Sequence, residues 1–331
     1  MRLSPFVAAA AMMVACTQDA SGADPQAPRL AFPLACRIGE TCEVQNYVDR
    51  DPGPGAKDYH CGAQTYDGHK GVDIRLLDMA AQARGVDVLV AAPGRVARLR
   101  DGMADVSIRA PNAPSITGRE CGNAVVVEHG GGWETQYCHL ARGSVRVKVG
   151  DTVTAGQLLA RVGLSGSTEF PHLHLSVSHA GQTVDPFAPE AGPRNACKAD
   201  GPMWAAGAAK VLGYKRGAVL NAGFAGGAVS MEAVEAGRIA PPNAASPALV
   251  AYARTIGLEA GDEVELTLTS PQGAVLATNR LPPLDRPKAQ HLMFVGQKRP
   301  ATGWSRGDYT SELRVHRAGK VVMTRRSSQR L

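Results

Sequence analysis

Two histidines separated by one residue, His172-Leu173-His174, lie in the alternating stretch Pro171 to Val177. On a strand, residues two apart point to the same face, so both imidazoles would look into one groove while Leu173 enters the core. One ring of such a pair can ligate a metal while the other handles protons. Upstream, His69 and Asp73 stand four apart in His69-Lys70-Gly71-Val72-Asp73. They meet at one ion if the chain turns between them, and Gly71 makes such a bend easy. A His₂Asp set supplies three ligands and leaves the fourth position open for water, as a catalytic zinc requires; a closed structural site uses four ligands. The third element is Tyr137-Cys138-His139-Leu140. On a regular strand His139 faces opposite to Cys138, so the two cannot share a proton, which argues against a cysteine protease. Cys138 is read as a bridge partner and Tyr137 as packing.

Strands must carry these residues. Val86 to Val90 and Gly94 to Leu99 alternate weakly around the turn Ala91-Ala92-Pro93-Gly94. Asn123 to His129 and Trp133 to Leu140 flank Gly130-Gly131-Gly132 and predict a β-hairpin. Mirroring its arms sets Cys121 roughly opposite Cys138. Val145 to Val149 and Leu158 to Val162 continue the pattern. After Asp185-Pro186 the composition changes, and residues 191–202 are rich in Pro, Gly and Ala. Beyond them Ala218 to Phe224, Ser230 to Val234, Leu249 to Thr255, Glu263 to Thr269 and Glu312 to Val315 read as short strands of a small β-sandwich. Ala205–Lys210 could form a helical turn, and the tail Arg325–Arg330 reads as solvated. The fold class is therefore mainly β.

In the order His-x-x-x-Asp, Tyr-x-His-Leu and Pro-His-Leu-His-Leu, the chain resembles the lysostaphin-type zinc metallopeptidases, which include bacterial cell-wall endopeptidases. The flanks Gly68–Ile74, Gly122–His129 and Gly163–Thr168 look like their counterparts in that family. The resemblance covers about residues 60–188. It implies an antiparallel sheet with a groove, zinc as the cofactor, His69, Asp73 and His174 as its ligands, and His139 and His172 as the catalytic pair. It also implies peptidoglycan stem peptides as substrate, cut at a D-alanyl bond in a wall of Gram-negative type. Two departures stand out: Glu169-Phe170 replaces the small residues usual before Pro-His-x-His, and Asp101–Gly118 is inserted. The domain reading is 1–23 export signal, 24–60 lead-in segment, 61–190 zinc peptidase domain, 191–204 linker and 205–331 β-sandwich accessory domain.

The start Met1-Arg2-Leu3 followed by apolar Pro5 to Ala15 is too short to span a membrane and reads as an export signal. Cleavage after Ala23 is one ending. The other is cleavage before Cys16, since Met13-Val14-Ala15-Cys16 resembles a lipobox, and a lipidated Cys16 would attach the chain to a membrane. Either way the expected location is periplasm or cell envelope. The remaining six cysteines, in an exported chain, imply disulfides, with Cys36–Cys42 and Cys121–Cys138 the expected pairs. A formal charge of +6 over 331 residues is scattered, without a basic stripe interleaved with aromatics, which argues against nucleic acid as a partner. Alternatives of another class are a regulator of other wall hydrolases and an exported peptidase acting on proteins. The retention of all five key residues disfavours the regulator. The C-terminal region is left open to binding wall, binding a protein partner, covering the groove or adding stability, and residues 29–60 to folding over the site.

Overall fold

The computed structural model describes residues 26–111, 113–189, 197 and 201–331. The expected export signal with Cys16, and most of the expected linker over 191–204, lie outside the described residues. The first half holds β1 (Cys42–Asn46), β2 (Val72–Leu76), α1 (Met79–Arg84), β3 (Asp87–Leu89), β4 (Gly94–Arg100), β5 (Asn123–Glu128) and β6 (Trp133–Leu140). It continues with β7 (Thr152–Val153), β8 (Leu158–Arg161), β9 (His172–His179) and β10 (Gln182–Val184). Eight of these strands form one antiparallel sheet in the order β1-β2-β9-β6-β5-β4-β7, with β10 on β9, while β3 pairs with β8. Alternation in β9 explains its place at the centre: Leu173, Leu175 and Val177 are buried in the core, and His172, His174 and Ser176 take the other face.

The second half holds α2 (Ala206–Val211), β11 (Ala218–Ala225), α3 (Met231–Glu235), β12 (Ala248–Leu258), β13 (Glu263–Thr269), β14 (Val275–Arg280), β15 (Lys288–Lys298), β16 (Asp308–Arg317) and β17 (Lys320–Arg330). A three-stranded sheet, β11-β12-β15, and a four-stranded one, β14-β13-β16-β17, share one apolar core that includes Leu249, Ala251, Leu266, Leu268, Leu313 and Val315. Two sheets closing on one core is a sandwich. Among the described residues no helix is long and apolar enough to cross a membrane.

Three expectations are corrected. Ser230–Val234 is not a strand: Ser230 accepts a hydrogen bond from the Ala233 amide and caps α3, a local cap that outweighs weak alternation. Val145–Val149 forms no strand; Arg146 alone donates to the Leu159 carbonyl there. The tail Arg325–Arg330 is exposed but belongs to β17, paired along β16. Cys36–Cys42 and Cys121–Cys138 are bridged as expected, and Cys61 pairs with Cys197.

Tyr137 packs in the core at 0% exposure, and its hydroxyl accepts from the Ala91 amide at 2.7 Å. Tyr137→Phe leaves that buried N–H without a partner. The expected cost is about 1–3 kcal/mol, read as a lowered denaturation midpoint with zinc affinity unchanged.

Candidate metal and catalytic site

Cross-strand register assembles the site. Asp73 of β2 stands opposite His174 of β9, which stands opposite Cys138 of β6, while Arg75 stands opposite His172. Opposed residues share a face. Asp73, Arg75, His172, His174 and Cys138 therefore line one side of the sheet. Val72, Ile74, Leu173, Leu175 and Tyr137 line the core side. His69 approaches from the turn before β2.

His139 corrects the regular-strand reading. Cys138, not His139, holds the strand position on the site face. His139 has φ +60°, a left-handed backbone that costs a non-glycine residue about 1–3 kcal/mol. That kink swings its imidazole to the site, with its ring centroid 4.6 Å from that of His172 and 6.0 Å from that of His174. Its backbone is held there by two bonds, from its own amide to the Cys121 carbonyl and from the Gly163 amide to its carbonyl. Cys121 is bridged to Cys138, so the disulfide pins both sides of the kink.

Each imidazole is turned by an outer partner. The His69 Nδ1–H donates to the Tyr47 carbonyl at 2.6 Å, leaving Nε2 bare. His174 contacts Ser176 Oγ through Nε2 at 2.9 Å and turns Nδ1 inward. His139 donates Nδ1–H to the Ser165 carbonyl at 2.8 Å, and His172 donates Nδ1–H to the Phe170 carbonyl at 2.9 Å with Thr168 Oγ1 at 3.0 Å. Asn46 Nδ2 donates to Asp73 Oδ2 at 2.9 Å, which leaves Oδ1 to the site. Gly71 leaves room for the His174 ring: a Cβ there would lie 2.6 Å from His174 Nε2.

Three donor atoms consequently converge. Asp73 Oδ1 lies 2.8 Å from His174 Nδ1 and 3.1 Å from His69 Nε2, and those two nitrogens are 3.1 Å apart. His69, Asp73 and His174 thus offer one ligand atom each, all within 4.8 Å of one another. His172 Nε2 is 3.5 Å from the same Asp73 oxygen. Lone pairs gathered this closely repel unless a proton or a cation sits among them, and two nitrogens with one carboxylate oxygen form a zinc-type donor set. The residues fit the metal.

The charges agree. Burial pushes the Asp73 carboxyl up, but the neighbouring His69 and His172 and its close contacts with the His174 and His69 rings hold it well below the usual range. Burial lowers His69, yet the Asp73 charge outweighs it and leaves the imidazole raised. Burial, aided by His172 and His174, pushes His139 well down, and burial lowers His172 despite Asp73. At neutral pH both rings are therefore neutral, with bare Nε2 atoms able to accept a proton.

All five sequence-derived residues meet at this point. Sequence reasoning did not reach Asn46, the Tyr47 carbonyl, Ser165, Thr168 or Ser176. Ser176 sits two residues beyond His174, so the alternation that placed the histidines could have found it; Asn46 has no local signal. Residues 29–60 contribute to the site directly. Asn46, the last residue of β1, and Tyr47 just after it supply the contacts to Asp73 and His69, and residues 48–53 line a cleft of about 460 Å³ with His69 and Lys70. Asn46→Ala is expected to weaken zinc binding roughly 10- to 100-fold, as loss of an outer hydrogen bond to a ligand does. Competition with a chromogenic chelator reads this directly.

Residues 67–186 match the family model of Peptidase family M23. This stretch is an M23 peptidase domain. Cell division protein DipM of Caulobacter vibrioides is 38% identical over 68 residues, covering 20% of this chain and 11% of DipM. Peptidoglycan DD-endopeptidase ShyA of Vibrio cholerae serotype O1 is 40% identical over 85 residues, 25% of this chain and 16% of ShyA. The chain thus spans less than a fifth of these curated relatives. Among solved structures, the catalytic domain of the prophage-encoded M23 protein EnpA from Enterococcus faecalis aligns at 21% identity and TM-score 0.33, covering 47% of this chain and 96% of that one.

Proposed function

We propose that this chain is an exported zinc endopeptidase that hydrolyses peptide cross-links of bacterial peptidoglycan at a D-alanyl bond. The observation that carries the reading is the convergence of His69 Nε2, Asp73 Oδ1 and His174 Nδ1 within 4.8 Å, beside two further imidazoles. The M23 domain and the relative named a peptidoglycan DD-endopeptidase support the substrate. Three disulfides among the described residues support an oxidising compartment. Export through the first 23 residues and lipidation of Cys16 belong to the same proposal.

His69, Asp73 and His174 hold the zinc, which when bound polarises the scissile carbonyl and activates a water near neutral pH. His172, fixed by the Phe170 carbonyl and Thr168, turns Nε2 toward the reacting water and takes its proton. His139, fixed by the Ser165 carbonyl, presents Nε2 on the same side as His172 and, on receiving the proton that His172 has drawn from the water, donates it in a hydrogen bond to the oxyanion. The two rings can exchange these roles. Asp73 keeps its negative charge because the surrounding imidazoles stabilise it.

The test is digestion of purified Gram-negative-type peptidoglycan by the soluble protein, with muropeptides identified by mass spectrometry. Cross-linked dimers should fall and monomers rise, with a new D-alanine carboxyl terminus. Intact dimers in the presence of zinc-loaded protein would instead favour the regulator reading.

A further inference from the structure

The face of the large sheet that carries Asp73 and His174 is closed at one end by the C-terminal sheets. Arg75, opposite His172, has a fully buried side chain. Its cover is Glu235 at the end of α3, whose Oε2 accepts from Arg75 Nη2 at 2.8 Å, and Gln290 of β15, which accepts from Nη1 at 3.1 Å. The same Glu235 oxygen accepts from Arg254 Nη1 of β12 at 2.5 Å. Arg254 is also fully buried, with Asn221 and the Leu77 carbonyl as its other acceptors. One carboxylate therefore separates two buried guanidiniums. Removing it leaves Arg75 with neutral acceptors, Gln45 Oε1 at 2.6 Å, Gln290 and the Leu76 carbonyl, and sets two cations in a low-dielectric setting with no carboxylate between them, which favours their moving apart.

That movement would reach the site. On its other side the Arg75 guanidinium lies 4.0 Å from the centroid of the Phe170 ring. This ring is 5.0 Å from that of His172, and the Phe170 carbonyl accepts from His172 Nδ1 at 2.9 Å. Phe170 is one of the two residues that depart from the family pattern before Pro-His-x-His. The three ligand side chains are anchored elsewhere, on the Tyr47 carbonyl, Asn46 and Ser176.

We infer that Glu235, acting through Arg75 and Phe170, is a positioning residue for His172, so that docking of the C-terminal sheets aligns this imidazole without touching the metal-ligating set. The inference rests on the peptidase reading above.

The experiment uses the zinc-loaded full chain with Glu235→Ala, Glu235→Gln and Phe170→Leu. Glu235→Ala should lower kcat roughly 10- to 100-fold while KM and zinc affinity stay within about twofold, since only an outer partner of one imidazole is lost. Glu235→Gln should recover part of the rate, because its amide oxygen still accepts from a guanidinium. Phe170→Leu should reproduce the kcat loss and be non-additive with Glu235→Ala. The imidazole ¹⁵N resonances of His172 should shift in both. A folded Glu235→Ala with wild-type kcat and unshifted His172 resonances overturns the inference. So does zinc affinity falling in step with kcat, which would make the contact a general brace. Should Glu235→Ala not fold, Phe170→Leu decides by the same criteria. If the wild-type protein cuts no peptidoglycan, the peptidase reading fails while the His172 resonances still decide the coupling.

Discussion

Replacing His174 by Ala is expected to remove zinc from the protein and reduce peptidoglycan hydrolysis to background. Three donors are the minimum that a catalytic zinc site keeps, and His174 Nδ1 is the one that lies 2.8 Å from Asp73 Oδ1. Without it only His69 and Asp73 remain, and the ion has no third protein ligand. The fold should survive, because His174 lies on the polar face of β9 while its neighbours Leu173 and Leu175 fill the core at 0% exposure. Metal content after gel filtration and muropeptide analysis read the two effects, and a thermal melt close to that of the wild type excludes unfolding. A His174→Ala protein that kept stoichiometric zinc would remove this residue from the ligand set.

The second large effect has the opposite metal signature. His172→Gln is expected to lower kcat roughly 10²- to 10⁴-fold, the usual range for a lost general acid–base group, with zinc retained. His172 Nε2 stands 3.5 Å from Asp73 Oδ1 and outside the group of three donors that converge. Burial keeps this imidazole neutral near pH 7 and so able to take a proton. Gln fills similar space but cannot accept one. His139→Gln should behave likewise if the two rings work as a pair, and the double variant should then cost little more than either single one. Zinc loss in His172→Gln would instead make His172 a ligand.

Much of the site could be read from the sequence because it lies on strands, where period two decides which side chains meet. His172 and His174 share a face for that reason, and the same rule predicted Trp133–Leu140 with its observed bounds. Reading failed where local backbone departs from the period. His139 reaches the site through a left-handed φ rather than through alternation, a state that no residue pattern announces for a histidine. Ser230–Val234 alternates weakly, yet the Ser230 side chain caps a helix there. The strand β17 reads as solvated tail because its arginines and serines face water, and only pairing with β16 makes it a strand. Asn46 and Glu235 were out of reach for another reason. Their partners, Asp73 and Arg75, lie 27 and 160 residues away, and a contact over that distance leaves no trace in local composition.

The central claim is that His69, Asp73 and His174 bind one zinc that the peptidase activity requires. Titrating zinc into chelator-stripped protein while following release of monomeric muropeptides tests it most directly. The account predicts no release without metal and activity rising linearly to a plateau at one zinc per chain, with no response from His174→Ala. Full activity in the stripped protein, or a zinc response that His174→Ala shares, would contradict it.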